Sequence, residues 1–249
     1  MKLTTHQVVV AGLLGALAVV LGLTPLGFIP VPTPAGAATT EHIPVIIGAV
    51  LEGPLVGAFV GLIFGLISFL RATLPFFRDP LIAIGPRVLI GITSYLAYRF
   101  SRHRVARPVA AALAGVAVGR GVWDGLGLVA TSFRQGHLAT GFGHLVGSWA
   151  VLAGPHALAG WLAGVLAALL AWWVLRPAEA PVAIAAMVGS LTNTVGVLGL
   201  IVWRFHWPLA VAVLVGVTNG LPEMLLAAVV TTAVVRAARA ALPRYREGA

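Results

Sequence analysis

Apolar residues run together along this chain for stretches close to a bilayer's thickness, then stop at a glycine, a proline or an arginine. An α-helix rises about 1.5 Å per residue, so a hydrocarbon core about 30 Å thick asks for roughly 20 apolar residues per crossing. Runs of that order predict helices over Gln7–Leu23, Pro54–Leu70, Leu81–Tyr98, Val109–Thr131, Pro155–Leu175, Val182–Trp203 and Leu209–Leu242. A shorter run at Glu41–Leu51 predicts a half-length helix inside a bundle, because irregular backbone at membrane depth survives only where protein or a cavity shields it. Gly53-Pro54, Gly85-Pro86 and Gly154-Pro155 predict helix starts, since proline at the first helical position forfeits no intrahelical bond. Ser132–Gly154 carries Arg134, His137 and His144 among five glycines and predicts a loop ending in a short interfacial or re-entrant piece.

Composition turns these runs into crossings. Of 249 residues, 59% are apolar and 9% charged, against about a quarter charged in a soluble domain, so too little polar surface exists to clothe a globule in water. The expectation is one all-α integral membrane domain over 1–249, a compact bundle of about eight transmembrane helices. The formal charge is +9, yet a nucleic-acid binder gathers its cations on one solvated face. Here they sit between apolar runs, so the bilayer, not nucleic acid, is the expected partner. With the N-terminus inside, Lys2, Arg99, Arg102, Arg104, Arg107, Arg176, Arg236, Arg239, Arg244 and Arg246 fall on one side and only Arg71, Arg78, Arg134 and Arg204 on the other. Such a bias predicts both termini in the cytoplasm. Lys2 and the first apolar run have some look of a signal peptide, but the small-residue stretch Pro34–Ala38 lies far beyond that run and many spans follow, which favours a span. Without cysteine, disulfides, thiolate metal sites and a cysteine nucleophile are excluded.

Ionisable groups at membrane depth are expensive and point to function by default. The polar residues within the apolar runs are Glu41, His42, Glu52, Arg87, Arg120, Asp124, His156, Asn193, Asn219 and Glu223. Several have a structural use as well. Thr40 is placed to cap a helix whose dipole would favour Glu41, and Glu52 reads as a solvated turn residue. Arg120 and Asp124, four apart, can neutralise each other on one helix face. Arg87 has no carboxylate at helical spacing, so its partner is a distant group, a backbone group, an anion or lipid phosphate. No His-Glu-x-x-His, Gly-x-Ser-x-Gly or phosphate-cradling Gly-x-x-x-x-Gly-Lys-Ser/Thr pattern occurs, so the chain is expected to be no enzyme, with no metal site and no cofactor of its own. Ala11, Gly12, Gly15, Ala16, Ala18 and Gly22 pave the first run, and small residues four apart let helices approach closely.

Three passages, Thr39-Thr40-Glu41-His42-Ile43-Pro44 continuing to Glu52-Gly53-Pro54, Gly189–Leu200 around Asn193, and Asn219-Gly220-Leu221-Pro222-Glu223, with Gly85-Pro86-Arg87 in support, together resemble the substrate-binding S components of energy-coupling factor (ECF) vitamin transporters. The resemblance covers roughly 3–100 and 182–242 and leaves about 102–181 as an insertion, implying a family-like six-helix core plus an inserted helix pair. It implies a subunit in the plasma membrane of a prokaryote that captures a water-soluble vitamin or related micronutrient for ATP-driven uptake. Its implied partners are a transmembrane coupling subunit and two ATPase subunits, which would use the ATP. It places Glu41, His42, Arg87, Asn193, Asn219 and Glu223 around the substrate, beneath a lid at Leu23–Gly36. It places docking to the coupling subunit at Ala11, Gly12, Gly15 and Ala16, where the family's Ala-x-x-x-Ala reads Ala11-x-x-x-Gly15 and Gly12-x-x-x-Ala16. Asparagine offers donor and acceptor to an amide- or hydroxyl-rich solute, and arginine a bidentate contact to carboxylate, which favours a carboxylated vitamin such as pantothenate or a folate. Two readings stay open beside it: a stand-alone proton-coupled secondary transporter relaying protons through Glu223, Asp124 or Glu41, and an intramembrane enzyme, which the absent motifs disfavour.

Overall fold

The computed structural model describes residues 3–30, 37–72, 74–102, 156–174 and 179–245, with isolated positions between 108 and 131. Among these residues the chain forms seven helices: α1 Thr5–Leu23, α2 His42–Glu52, α3 Pro54–Leu70, α4 Pro80–Ser101, α5 His156–Val174, α6 Ala180–Phe205 and α7 Leu209–Ala241. Between α1 and α2 lies an antiparallel hairpin, β1 Phe28–Pro30 paired with β2 Ala37–Thr39, with Phe28 opposite Thr39. Helices α1, α4, α6 and α7 are long and apolar enough to cross a membrane. The protein is an all-α, multi-pass membrane protein; the expected eight crossings are not reached among the described residues, since much of 102–181 falls outside them.

Local chemistry sets the helix ends. A capping box opens α1: Gln7 N donates to Thr4 Oγ1 at 3.3 Å while Thr4 N donates to Gln7 Oε1 at 3.0 Å, satisfying two end donors at once. Gly53, at φ 100°, joins α2 to α3 in a conformation that a side chain would strain, and Pro54 then starts α3 as expected. Gly85-Pro86 does not start a helix, contrary to the sequence expectation. Asp79 Oδ1 accepts from Leu81 N at 2.9 Å and Pro80 takes the first position, so α4 begins one residue before the start its apolar run predicts and Pro86 lies inside it. Helix α6 ends at His206, in the left-handed region at φ 52°, just before Pro208.

The core gathers around α2, whose residues from His42 to Val50 are all buried, as befits a helix that is apolar all round. Ile46 and Val45 pack with Val60 and Phe64 of α3, Ile90 of α4, Val182 and Ala186 of α6, and Ala227 and Val235 of α7. Large apolar side chains such as Leu13, Leu96, Trp161, Val195 and Val229 instead face outward, the pattern of helices solvated by lipid. Helices α3 and α4 nearly touch backbone to backbone. A Cβ on Gly61 would collide with the Arg87 carbonyl, and one on Gly91 with the Gly57 carbonyl carbon and Ala58 N. Glycines also appose on a smaller scale beside α5, where a Cβ on Gly119 would meet Gly160 O at 3.0 Å and one on Gly115 would meet Ala168 Cβ at 2.9 Å. This order places those positions antiparallel to α5.

At the hairpin end, Arg204 Nε of α6 donates to Asp79 Oδ2 at 2.5 Å, and Phe76 packs edge-on against Phe205 at 5.2 Å. The Arg204 hydrogen bond holds the Asp79 carboxyl below its ordinary value. Because the folded value is depressed, whatever stability this pair confers is fully present above the usual aspartate range near pH 3.9. It is lost as pH falls through the lower folded value. Melting curves of detergent-purified wild type and Asp79→Asn should therefore differ at pH 7 and converge in acid. For the helix crossing, Gly61→Ala should lower the thermal midpoint because the Arg87 carbonyl blocks the new methyl. Gly12→Ala, with nothing within 4 Å, should hold or raise it through the better helix propensity of alanine.

Candidate functional site

Pro86 makes the site possible. With no N–H, it cannot bond to the carbonyl four residues back, at Ile82, and a bare carbonyl at membrane depth is costly. The guanidinium of Arg87 takes the bond instead, donating from Nη1 to Ile82 O at 2.6 Å. Nη2 lies 3.5 Å from Ser68 Oγ, and the charge sits 5.3 Å from the Phe64 ring centre and 5.2 Å from that of Phe77, within cation–π range. Arg87 is only 4% exposed, and its Nε has no hydrogen-bond partner. Of the partners open to it from sequence, a backbone group supplies the short hydrogen bond and distant carboxyl groups interact with its charge.

Two carboxylates face this cation. Glu41 and Glu223 are both buried, and both interact with the Arg87 charge. Glu223 Oε1 accepts from the backbone N of Thr39 at 2.7 Å, which ties the last strand residue of the hairpin to α7. Neither oxygen of Glu41 has a hydrogen-bond partner, and its carboxylate lies so close to α1 that a Cβ on Gly22 would come within 2.8 Å of Oε1. His42 is 1% exposed with both ring nitrogens unpartnered. Thr40 does not act as the expected cap: its hydroxyl donates to Leu26 O at 2.9 Å, bracing the hairpin, and Glu41 itself occupies the cap position in helical geometry without a side-chain bond.

Two further buried polar residues come from α6 and α7. Residues Gly216–Gly220 form a π-turn within α7, and its cause lies two residues on. Pro222 cannot bond to the Thr218 carbonyl, so the ladder widens there, a device common at functional sites. The turn carries Asn219, buried like Asn193 on α6. A Cβ on Gly220 would come within 2.9 Å of Thr194 Cγ2, so the two asparagines sit one residue either side of a direct α6–α7 contact. Asn193 Oδ1 has no partner.

The structure thus brings Glu41, His42, Arg87 and Glu223 into one electrostatic cluster and buries Asn193 and Asn219 near it. Buried Ser94, Ser190 and Thr231, whose hydroxyls lack partners, were not singled out by sequence. Hydroxyls on apolar helices usually return to a carbonyl one turn back, as Thr93 does to Leu89 O at 3.0 Å and Thr192 to Val188 O at 2.8 Å, and nothing in the residue type distinguishes these exceptions. Glu52 is not a solvated turn residue. Its side chain is 4% exposed, His6 Nδ1 lies 3.2 Å away, and Tyr245 Oη donates to it; burial and that bond push the Tyr245 hydroxyl well above its ordinary value. On α1, Ala11 and Gly15 are buried, Gly15 against Ile63, whereas Gly12 and Ala16 stay exposed. Arg120, Asp124, Arg134, His137, His144, Gly154-Pro155 and the His156 side chain lie outside the described residues. Among the described residues no group of three or more His, Cys, Asp or Glu is placed to hold a metal ion.

The bundle thus holds one cation, two carboxyl groups and several buried polar atoms without hydrogen-bond partners in apolar surroundings. The pantothenic acid transporter PanT of Lactococcus lactis subsp. cremoris (strain MG1363) is 37% identical over 93 residues, an alignment covering 29% of this chain and 47% of that protein. The chain spans about half the length of that curated relative. The profile of the family described as ECF transporter, substrate-specific component, matches residues 6–175, and on that match this chain belongs to the ECF transporter substrate-specific component family.

Proposed function

We propose that this chain captures a small carboxylated vitamin, with pantothenate favoured over a folate-like solute, between Arg87 and the buried amides and carboxylates of α2, α6 and α7. The single observation that carries the reading is unspent buried hydrogen-bonding capacity, on Glu41, His42 and Arg87 of the charge cluster and on Ser190 and Asn193 of α6. The large majority of buried side-chain polar atoms have a hydrogen-bond partner, so this set calls for an occupant. Pantothenate combines a carboxylate, an amide and two hydroxyls, which match a guanidinium, asparagine amides and carboxylate acceptors respectively. The partly identical pantothenic acid transporter adds weight to this choice.

In this proposal uptake is ATP-driven through a transmembrane coupling subunit and two ATPase subunits, the partners that membership of this family implies. The exposed Gly12 and Ala16 of α1 supply the docking face, with Ala11 and Gly15 setting the helix against α3 behind them. Both termini lie on the cytoplasmic side of a prokaryotic plasma membrane. In support, Gln7 Nε2 donates to Glu52 O at 3.0 Å and Tyr245 reaches the Glu52 side chain, so the first and last described segments share one end. A stand-alone proton-coupled transporter is the competing reading, favoured by the unpartnered buried Glu41.

Titration of the detergent-purified protein with pantothenate by calorimetry separates these ideas. Arg87→Ala should weaken binding at least tenfold, the scale of a lost charge-assisted hydrogen bond, while Arg78→Ala, exposed at the same end, should leave it unchanged; equal affinities would remove Arg87 from the site. Glu41→Gln keeps a side-chain oxygen as acceptor while removing one of the two acidic groups that face an anionic solute, and should tighten binding, with uptake retained. In cells, uptake should stop when the partner ATPases carry inactivating substitutions. Uptake that persists there on a proton gradient alone, and dies in Glu41→Gln, would establish the competing mechanism.

A further inference from the structure

At the end opposite the hairpin, where α2, α4 and α7 finish, a cavity of about 310 Å³ opens. Its walls hold four arginines, Arg99, Arg102, Arg239 and Arg244, and all three tyrosines of the chain, Tyr95, Tyr98 and Tyr245, over an apolar floor of Val50 and Leu51. We infer that this cleft binds the phosphate headgroup of an anionic phospholipid from the leaflet at that end.

The arginines divide into two kinds. Arg239 is fixed in place, donating from Nη1 to Glu179 Oε2 at 2.9 Å and from Nη2 to Tyr98 Oη at 2.6 Å. Arg102 lies over the ring of the same tyrosine, 5.9 Å from its centre. Among the described residues no carboxylate pairs with Arg99, Arg102 or Arg244, and all three side chains are exposed. Two carboxylates border the cleft, Glu179 paired with Arg239 and Glu52 bound by Tyr245. Three guanidiniums without an ion-pair partner therefore outnumber the acidic groups and form an anion trap, and guanidinium matches phosphate oxygens in bidentate fashion. Depth selects the source of that phosphate. Tyrosine concentrates where bilayer meets water, and this chain spends every tyrosine on one cleft at the ends of two spanning helices, beside an apolar floor suited to the first carbons of an acyl chain. Basic pockets between helix ends are the recurrent form of anionic headgroup sites. The cleft is distinct from the Arg87 cluster, since α2 separates them by its full length, about 16 Å for 11 residues.

Native mass spectrometry of protein gently extracted and titrated with phosphatidylglycerol or phosphatidylcholine tests the inference. With roughly fivefold from each unpaired arginine, the first phosphatidylglycerol should bind about a hundredfold more tightly than phosphatidylcholine. Arg99→Gln/Arg102→Gln/Arg244→Gln should bring that ratio close to one, whereas Arg78→Gln/Arg236→Gln, charge removed outside the cleft, should leave it intact. Arg102→Lys should retain most of a preference that Arg102→Gln cuts about fivefold, which guards against misfolding of the triple variant, as does an unchanged thermal midpoint. Equal binding of the two lipids by wild type, or a ratio unmoved in the triple variant, overturns the proposal. Displacement of phosphatidylglycerol by a few millimolar inorganic phosphate assigns the cleft to a soluble anion and overturns it too. A triple variant that keeps its lipid but no longer co-purifies with other subunits makes the cleft a protein interface and likewise overturns the lipid assignment.

Discussion

Everything at the polar heart of this bundle hangs on the hydrogen bond from Arg87 to the Ile82 carbonyl. Pro86 withdraws the donor that would have closed the helix ladder at Ile82, a fully buried residue whose carbonyl then needs another partner. Placing arginine immediately after the proline solves the problem locally. A guanidinium carries five donors in a rigid plane, so one nitrogen can answer the carbonyl while the edge through Nε stays available. Phe64 and Phe77 hold the charge from the sides, and Gly61 lets the backbone of α3 come against the Arg87 carbonyl. The cation is thus positioned by the helix's own defect, and the guanidinium is held in one place by groups of α3 and α4.

The same logic explains the groups left without partners. Ionised side chains in apolar surroundings are strongly disfavoured unless opposed and hydrogen-bonded, yet Glu41, His42, Ser190 and Asn193 all hold unpartnered buried atoms, and they are drawn from elements far apart in sequence. Electrostatic compensation among Arg87, Glu41 and Glu223 keeps the cluster tolerable, while its hydrogen bonds stay unmade. Glu223 is the exception, being committed to Thr39 N. Its second duty is architectural, because that bond pins the hairpin over the cluster.

Much of this was legible in the sequence because lipid imposes simple rules. Run length located α1, α3, α6 and α7 to within a few residues, and the shortness of Glu41–Leu51 correctly set α2 apart as a helix enclosed by others. The six polar residues expected around a solute are all buried in the structure, since intramembrane polarity is rare enough to be read residue by residue. What failed was local. Gly85-Pro86 carries the same signal as Gly53-Pro54, and only Asp79-Pro80 upstream decides that one proline starts a helix and the other interrupts it. Thr40 has capping chemistry but spends its hydroxyl on Leu26 O. Glu52 looks like a turn residue until His6 and Tyr245, far away in sequence, close over it. Such outcomes depend on which distant group arrives, and hydropathy does not encode that.

The covering of the site is not uniformly strong, and the difference is physical. On the helix side, α3 and α4 meet backbone to backbone at Gly57, Gly61 and Gly91, and interiors packed this closely yield only by discrete rearrangement. On the hairpin side, cover rests on two three-residue strands, the Thr40 bond to Leu26 O and the Thr39 bond to Glu223. An isolated hairpin of this size has little stability of its own. Because Glu223 both accepts from Thr39 N and interacts with the Arg87 charge, the hairpin and the charge cluster are one electrostatic system.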